Sequence, residues 1–465
     1  MHGSGAPQQL QDHAGGALDL DTKPAPRDRR ARSDQGGHLA SAICPGTEQG
    51  GGLAAKATSS GGFGAATGAA GSATSSPWEI LLVFLRLGCT SFGGPIAHLG
   101  YFRAEFVERL QWLSDRAYSD LVALAQFLPG PASSQTGFGI GLLRGGYLGG
   151  LAAWVGFTLP SAVLMVLFAY GAGSIADTAW GAGLLHGLKL VAVAIVAQAV
   201  MGMARSLCPD RARASIATGA LVAILLTAGS LSQLGTIAAG ALAGLVLCRD
   251  ATRTVADSIA IPVSRGSATL FLGMFFVLLA VAFMPAGIGG VALFDAFYRS
   301  GALVFGGGHV VLPLLRDAVV TPGWTSDTTF LAGYGAAQAV PGPLFTVSAY
   351  LGAVAHVGPG GIGGAAIALV AIFLPGIMLL TGALPFWHAL RGRPYARAAM
   401  TGTNAAVVGV LGAALYNPLW SSTVQSPADF AIAAVGFVLL IVWRAPPILV
   451  VALTALAGAA FSLIA

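Results

Sequence analysis

The chain has 465 residues, of which 55% are hydrophobic and only 9% charged, with a mean hydropathy of +0.75. Soluble domains carry about a quarter charged residues, and apolar runs near bilayer length recur here, which excludes a soluble globular protein and predicts an all-α polytopic membrane protein. The net charge of +5 suits loops facing anionic lipid, and no basic face interleaved with aromatics points to nucleic acid.

Taken in order, residues 1–77 come first. They are rich in Gly, Ala, Ser and polar residues, carry a basic cluster (Lys23, Arg27, Arg29, Arg30, Arg32) and read as a disordered polar tail. No compact basic-then-apolar leader with a cleavage site precedes Trp78. Apolar segments follow at 78–100, 118–142, 147–172, 186–204, 215–228 and 231–248, then 268–284, then 289–312, 328–356, 361–381, 400–416, 429–443 and 446–464. Three regions follow from this: a first transmembrane repeat (78–248), a linker with one transmembrane helix (249–288) and a second repeat (289–465). The cysteines, Cys44, Cys89, Cys208 and Cys248, form no CxxC pair, so neither a metal site nor a disulfide framework is expected, and no cofactor motif is present.

The repeat rests on matched motifs. LRLGCTSFGGP (Leu85–Pro95) returns as YRSGALVFGGG (Tyr298–Gly308), and Trp112 with AQFLPGP (Ala125–Pro131) returns as Trp324 with AQAVPGP (Ala337–Pro343), all at a spacing near 213 residues. With the tail inside the cell, thirteen crossings put Arg144, Arg205, Arg211, Arg213, Arg249, Arg253, Arg265, Arg316, Arg391, Arg393, Arg397 and Arg444 on the inner side. The loop 101–117, with Arg103, Arg109 and Arg116, is then a basic exception outside. Six crossings plus one linker invert the second half, giving two homologous halves in inverted orientation with discontinuous helices. A ten-crossing count with re-entrant or fused segments preserves that inversion.

Matched breaks mark the candidate site. Proline ends or kinks a helix, and backbone freed inside lipid must be buried in protein or line a wet cavity. Its amides can then hold an anion. On this logic the substrate-binding candidates of the first half are Arg86, Thr90, Ser91, Gly93 and Gly94 around the FGG break, and Gln126, Gly130, Ser133 and Ser134 around the PGP break. Those of the second half are Arg299, Gly306, Gly307, Gln338 and Gly342. Arg86 and Arg299 occupy matching places inside apolar segments, where an arginine is costly and its fork suits an oxyanion. Pro160 and Pro375 form a third matched pair of breaks. Asp120 and His309 are the candidates for proton coupling.

These stretches resemble the chromate ion transporter family in its long, two-domain form. The resemblance is carried by FLRLGCTSFGGPIAHLGYFRAEFV (Phe84–Val107), WLSDRAYSDLVALAQFLPGPASSQTGFGIG (Trp112–Gly141), FYRSGALVFGGGHVVLPLL (Phe297–Leu315), AQAVPGPLFTVSAYLG (Ala337–Gly352) and NAAVVG (Asn404–Gly409). It covers roughly residues 78–464. It implies an inner-membrane secondary transporter that exports chromate, with sulfate or protons as coupling candidates and no enzymatic activity. The family's first-motif arginine falls on Arg86, its FGGP on Phe92–Pro95, its PGP on Pro129–Pro131 and its FGGGHVVLP on Phe305–Pro313. The expected mechanism is alternating access at the interface of the halves, with chromate or sulfate and membrane lipid as partners. A homodimer is one option for the oligomeric state, which the sequence leaves open. Rival readings are a sulfate importer, a channel, a membrane-bound oxyanion reductase and a structural membrane protein.

Overall fold

The computed structural model describes residues 75–464 apart from 177, 228–229, 249–262, 285–286, 306–307, 388 and 390–392. The tail expected over 1–77 lies, as far as residue 74, outside the described residues. The rest is helical. Five helical stretches, Ala132–Ala172, Ala179–Leu207, Arg265–Ala282, Gly361–Phe386 and Pro394–Thr423, are long and apolar enough to cross a membrane. The chain is an all-α polytopic membrane protein.

Helix α1 (Pro77–Thr90) starts where Ser76 accepts a hydrogen bond from the Glu79 amide and Pro77 fills the first turn. It stops at the FGG motif, where Gly93 and Gly94 take φ of +101° and +78°, a backbone that side-chain-bearing residues rarely adopt. Helix α2 (Gly94–Arg103) continues as a wide turn to Arg109 and returns toward the start of α1. The rings of Phe84, Phe106 and Trp112 stack in series, with centroids 4.9 and 5.1 Å apart. The Arg144 guanidinium lies 5.6 Å from the Trp112 ring, so the end of α2 shares one end of the bundle with Arg144.

Helix α3 (Asp115–Phe127) rises from that end to the first PGP. Helix α4 (Ala132–Ala176) first descends to a kink at Gly145–Gly146 and then runs the length of the bundle. Thus α1–α2 and α3 with the first arm of α4 are two helical hairpins that go in and come back. Helices α5 (Ala179–Leu207), α6 (Arg211–Leu226), α7 (Ser230–Leu247) and α8 (Arg265–Ala282) follow.

The second half repeats the plan. Helix α9 (Gly290–Ala302) leads to the second FGG. A short 3-10 turn and α10 (Val311–Val319) bring the chain back. Helix α11 (Asp327–Ala337), the second PGP and α12 (Val347–Val354) form another hairpin. There the His356 amide donates to the Trp324 carbonyl at 2.9 Å. Helices α13 (Gly361–Ala383), α14 (Pro394–Ala414), α15 (Pro427–Ile441) and α16 (Pro447–Ile464) complete the chain.

The long arm of α4 relates the two ends of the bundle. Near its start Tyr147 hydrogen-bonds Ser267 at 3.0 Å, on the Arg144 side. Near its finish the Tyr170 hydroxyl abuts Gly361, on the Trp324 and His356 side. The turn 101–117 thus lies with the start of this arm, beside Arg144, and the hairpin bonded through Trp324 and His356 lies with its finish.

The halves also exchange helices. Gly183 and Gly187 of α5 meet Gly458 of α16 backbone to backbone, and the counterpart contact joins Ala398 and Gly402 of α14 to Gly244 of α7. Any added Cβ at Gly187, Gly244, Gly402 or Gly458 would run into the opposing backbone, the close approach that holds helices together where lipid supplies no hydrophobic drive.

Two sequence expectations change. The segments 78–100, 118–142, 289–312 and 328–356 are not single helices, because each breaks at its glycine motif and divides into shorter arms. Apolar length alone does not separate one span from two half-length arms. In consequence 101–117 lies beside Arg144 rather than opposite it. Pro160 and Pro375 sit inside continuous helices rather than at breaks.

Candidate functional site

The four breaks converge. The Gly130 amide donates to the Val304 carbonyl at 2.7 Å, and the Gly342 amide donates to the Ser91 carbonyl at 2.8 Å. Gly342 stands to Gly130, and Val304 to Ser91, as repeat counterparts, so each PGP glycine caps the residue before the other half's FGG. This is the reciprocity of an isologous contact, i with j and j with i. The next layer repeats it: Gly130 packs on Gly376, and Gly342 packs on Ser161, the counterpart of Gly376. Pro95 and Gly308, also counterparts, touch each other. The first turns of α2 and of the segment opening at Gly308 therefore meet at the centre.

Around this point polar groups are buried. Ser91, His98, Ser133, Ser134, Gln135, Thr136, Thr158, Ser161 and Ser348 are each at most 4% exposed. Some are tied into the fold: the Gln135 side-chain amide donates to the carbonyls of Pro129 and Gly376, both at 3.0 Å, and Ser161 Oγ donates to Thr158 O at 3.0 Å. His98 Nδ1 lies 3.4 Å from Ser133 Oγ. Others have no partner: Ser91 Oγ, Ser134 Oγ, Gln135 Oε1, Thr158 Oγ1 and Ser348 Oγ. A buried polar atom without a hydrogen bond costs about 1–3 kcal/mol, and several such atoms gather here.

Of the sequence candidates, the structure brings Ser91, Gly93, Gly94, Gly130, Ser133, Ser134 and Gly342 to this centre. Gly306 and Gly307 lie outside the described residues. Gln338 is half-buried on the second PGP arm, near the buried pair formed by His309 Nδ1 and the Tyr334 hydroxyl at 2.8 Å. Thr90 is exposed and donates to the Arg86 carbonyl at 2.8 Å. Arg86 is exposed on α1, away from the buried serines. Hydrogen bonds from Arg109 hold the Glu105 carboxyl below its ordinary range, and Arg86 lies close enough to add to that pull. Arg299 lines a separate pocket of about 330 Å³ with Gln233, Ser300 and Asp317, its guanidinium 5.8 Å from the Phe283 ring. Gln126 is exposed in a groove of about 380 Å³ between α2 and α3, together with Arg103, Asp115 and Ser119. Asp120 lies half-buried on the first half of α3.

Sequence reasoning passed over Gln135, Thr158, Ser161 and Ser348, and it gave His98 no part in the site. The available signal was position: Gln135 lies four residues past the first PGP, and Ser161 directly follows Pro160.

Crossed half-helices around a buried polar centre, set in a bundle of apolar spans, define a polytopic membrane protein of transporter build. The family model described as "Chromate transporter" matches residues 78–245 and again 291–459. The chain belongs to the chromate transporter family, and it is a transporter rather than an enzyme. It is 29% identical over 376 residues to the chromate transport protein of Pseudomonas aeruginosa, covering 79% of this chain and 87% of that one. It is 26% identical over 411 residues to a probable chromate transport protein of Synechococcus elongatus, covering 82% and 95%. A chromate transport protein of Cupriavidus metallidurans is 26% identical over 364 residues, covering 75% and 85%. No solved structure matches the chain.

Proposed function

We propose that this chain exports chromate from the cytoplasm across the inner membrane by alternating access between two halves inserted in opposite orientations. The halves are residues 78–248 and 289–465, and the linker 249–288 contributes the crossing by α8 that inverts the second. The observation that carries this reading is the reciprocal pair of bonds, Gly130 to Val304 and Gly342 to Ser91, because a two-fold site at mid-depth is what inverted repeats build.

Orientation follows from charge. Arg103, Arg109, Arg116, Arg144, Arg205, Arg211, Arg213, Arg265, Arg393, Arg397 and Arg444 gather at the end of the bundle where the first hairpins open. The other end has Arg316, already paired with Asp327. The positive-inside rule makes the first end cytoplasmic. It also absorbs the loop 101–117 as an ordinary basic cytoplasmic turn. Among the described residues the reading counts nine crossings, by the long arm of α4, α5–α8 and α13–α16, plus four half-depth hairpins.

At the centre a divalent tetrahedral anion meets amides at helix starts and the hydroxyls of Ser91, Ser133 and Ser134, which replace its hydration. Arg86 and Arg299 stand outside this inner set, toward opposite ends, and supply cationic approaches to it. Moving two negative charges out through 100 mV is electrically downhill by about 4.6 kcal/mol, so export needs no bound nucleotide.

The test is flux of radiolabelled chromate and sulfate in inverted membrane vesicles, with and without a proton gradient. Chromate accumulation that grows with an inside-positive potential is expected. Uptake of sulfate alone, abolished by a protonophore, would favour an importer instead. Arg86→Ala is expected to lower chromate flux at least tenfold while the protein still inserts, and full transport by that variant would remove Arg86 from the mechanism.

A further inference from the structure

The two halves differ in one respect that their sequence match does not foretell. In the second half, α5 lies on α11 with Gly335 pressed against the Leu188 carbonyl. Tyr334 is fully buried there and bonded to His309, and Gln338 Nε2 is sealed in. In the first half the same face is open. The counterparts of Gly335 and Gln338 are Ala123 and Gln126, and both are exposed. They line a groove that runs from the Arg103–Asp115 ion pair at the bundle's end up to Gln126, four residues short of Gly130.

A stripe of Asp115, Ser119 and Gln126 along one helix is costly against lipid and inexpensive against water. We propose that this α2–α3 groove is the aqueous route by which the oxyanion reaches the centre from the cytoplasmic end, with Gln126 as the donor at its inner mouth. The equivalent route on the other side is shut by α5 on α11. Exchange of these two arrangements between the halves, α14 closing over α3 as α5 leaves α11, opens the centre to the other end. The inference rests on the alternating-access reading and adds to it a route, a gate and the state this structure represents.

The test uses the full chain with its four native cysteines replaced by serine, carrying either Gln126→Cys or Gln338→Cys, and a membrane-impermeant maleimide. In inside-out vesicles Gln126→Cys is expected to label at least tenfold faster than Gln338→Cys, and chromate should slow that labelling. In right-side-out vesicles chromate should speed labelling of Gln338→Cys, as the second route opens. Equal labelling of both positions from the cytoplasmic side, or none at Gln126→Cys in a protein that still transports, would overturn the route. Labelling as expected in a protein that moves no chromate would instead leave the route standing and sink the export reading. A second variant, Ser119→Trp, fills the groove at an exposed position. It is expected to cut flux at least tenfold with thermal stability unchanged, and undiminished flux would place the route elsewhere.

Discussion

The Gly130 amide donates to the Val304 carbonyl across the two halves at 2.7 Å, and its repeat counterpart does the same from Gly342 to Ser91 at 2.8 Å. Each bond satisfies backbone groups that a broken helix would otherwise leave bare, and inside hydrocarbon such a lost partner costs several kcal/mol. The breaks and the association of the halves are therefore one device: neither half can complete its own broken helix alone.

Both donors are glycines for a steric reason. Gly130 has φ +123° and Gly342 φ +95°, and a Cβ would lie 3.1 Å from Gly376 Cα in the first case and 2.9 Å from Ser161 Oγ in the second. Gly130→Ala and Gly342→Ala are each expected to cost about 1–3 kcal/mol from backbone strain and to lower chromate flux at least tenfold. Thermal unfolding in detergent and vesicle flux would check this. Wild-type behaviour of both variants would mean that the crossing is not needed in the working state.

Ser134 separates stability from function. Its hydroxyl is buried and unpartnered, so its removal breaks no bond within the protein and relieves an unsatisfied donor. Ser134→Ala is expected to leave the melting temperature unchanged or raise it slightly, while the apparent affinity for chromate weakens. Ser161→Ala, which loses a hydrogen bond to Thr158 O, should instead lower the melting temperature. If the two variants behaved alike, the unpartnered atoms would not belong to an anion site.

Much of this was legible in the sequence because the duplication repeats its breaks. GG and PGP at matched places told where helices stop, and Ser91, Gly130 and Gly342 do meet. Where each arm goes after its break was not legible. Fourteen residues of α1 followed by an apolar α2 look the same in one dimension whether the chain continues or turns back. Arg103, Arg109 and Arg116 carried a hint, since as an outside loop they broke the charge rule, and the structure sets their loop beside Arg144. The exposure of Arg86 on α1 was likewise not legible, since a matched arginine inside an apolar run says nothing of the face it occupies. Gln135 escaped because the repeat puts the apolar Val347 opposite it, whereas Ser348 stands opposite another buried hydroxyl, Thr136, and could have been read from the repeat.

The duplication also repeats an ion pair. Arg103, at the end of α2, bonds Asp115, the first residue of α3, at 2.8 Å. Arg316 in α10 bonds Asp327, the first residue of α11, at 2.7 and 2.9 Å through two nitrogens. Each pair staples one returning arm to the next hairpin of its half. The first shares Arg103 with Glu108 and is about half exposed, whereas the second is less exposed and two-pronged. Exposed pairs contribute about 0.2–1 kcal/mol, and forked geometry adds to that. Arg316→Ala should therefore destabilise by about 1 kcal/mol, more than Arg103→Ala. The exchanged double variant Arg316→Asp with Asp327→Arg should recover part of the loss, as a double-mutant cycle on thermal unfolding would reveal. Additive single losses with no recovery would mean that the two side chains act separately and that the staple is only a coincidence of geometry.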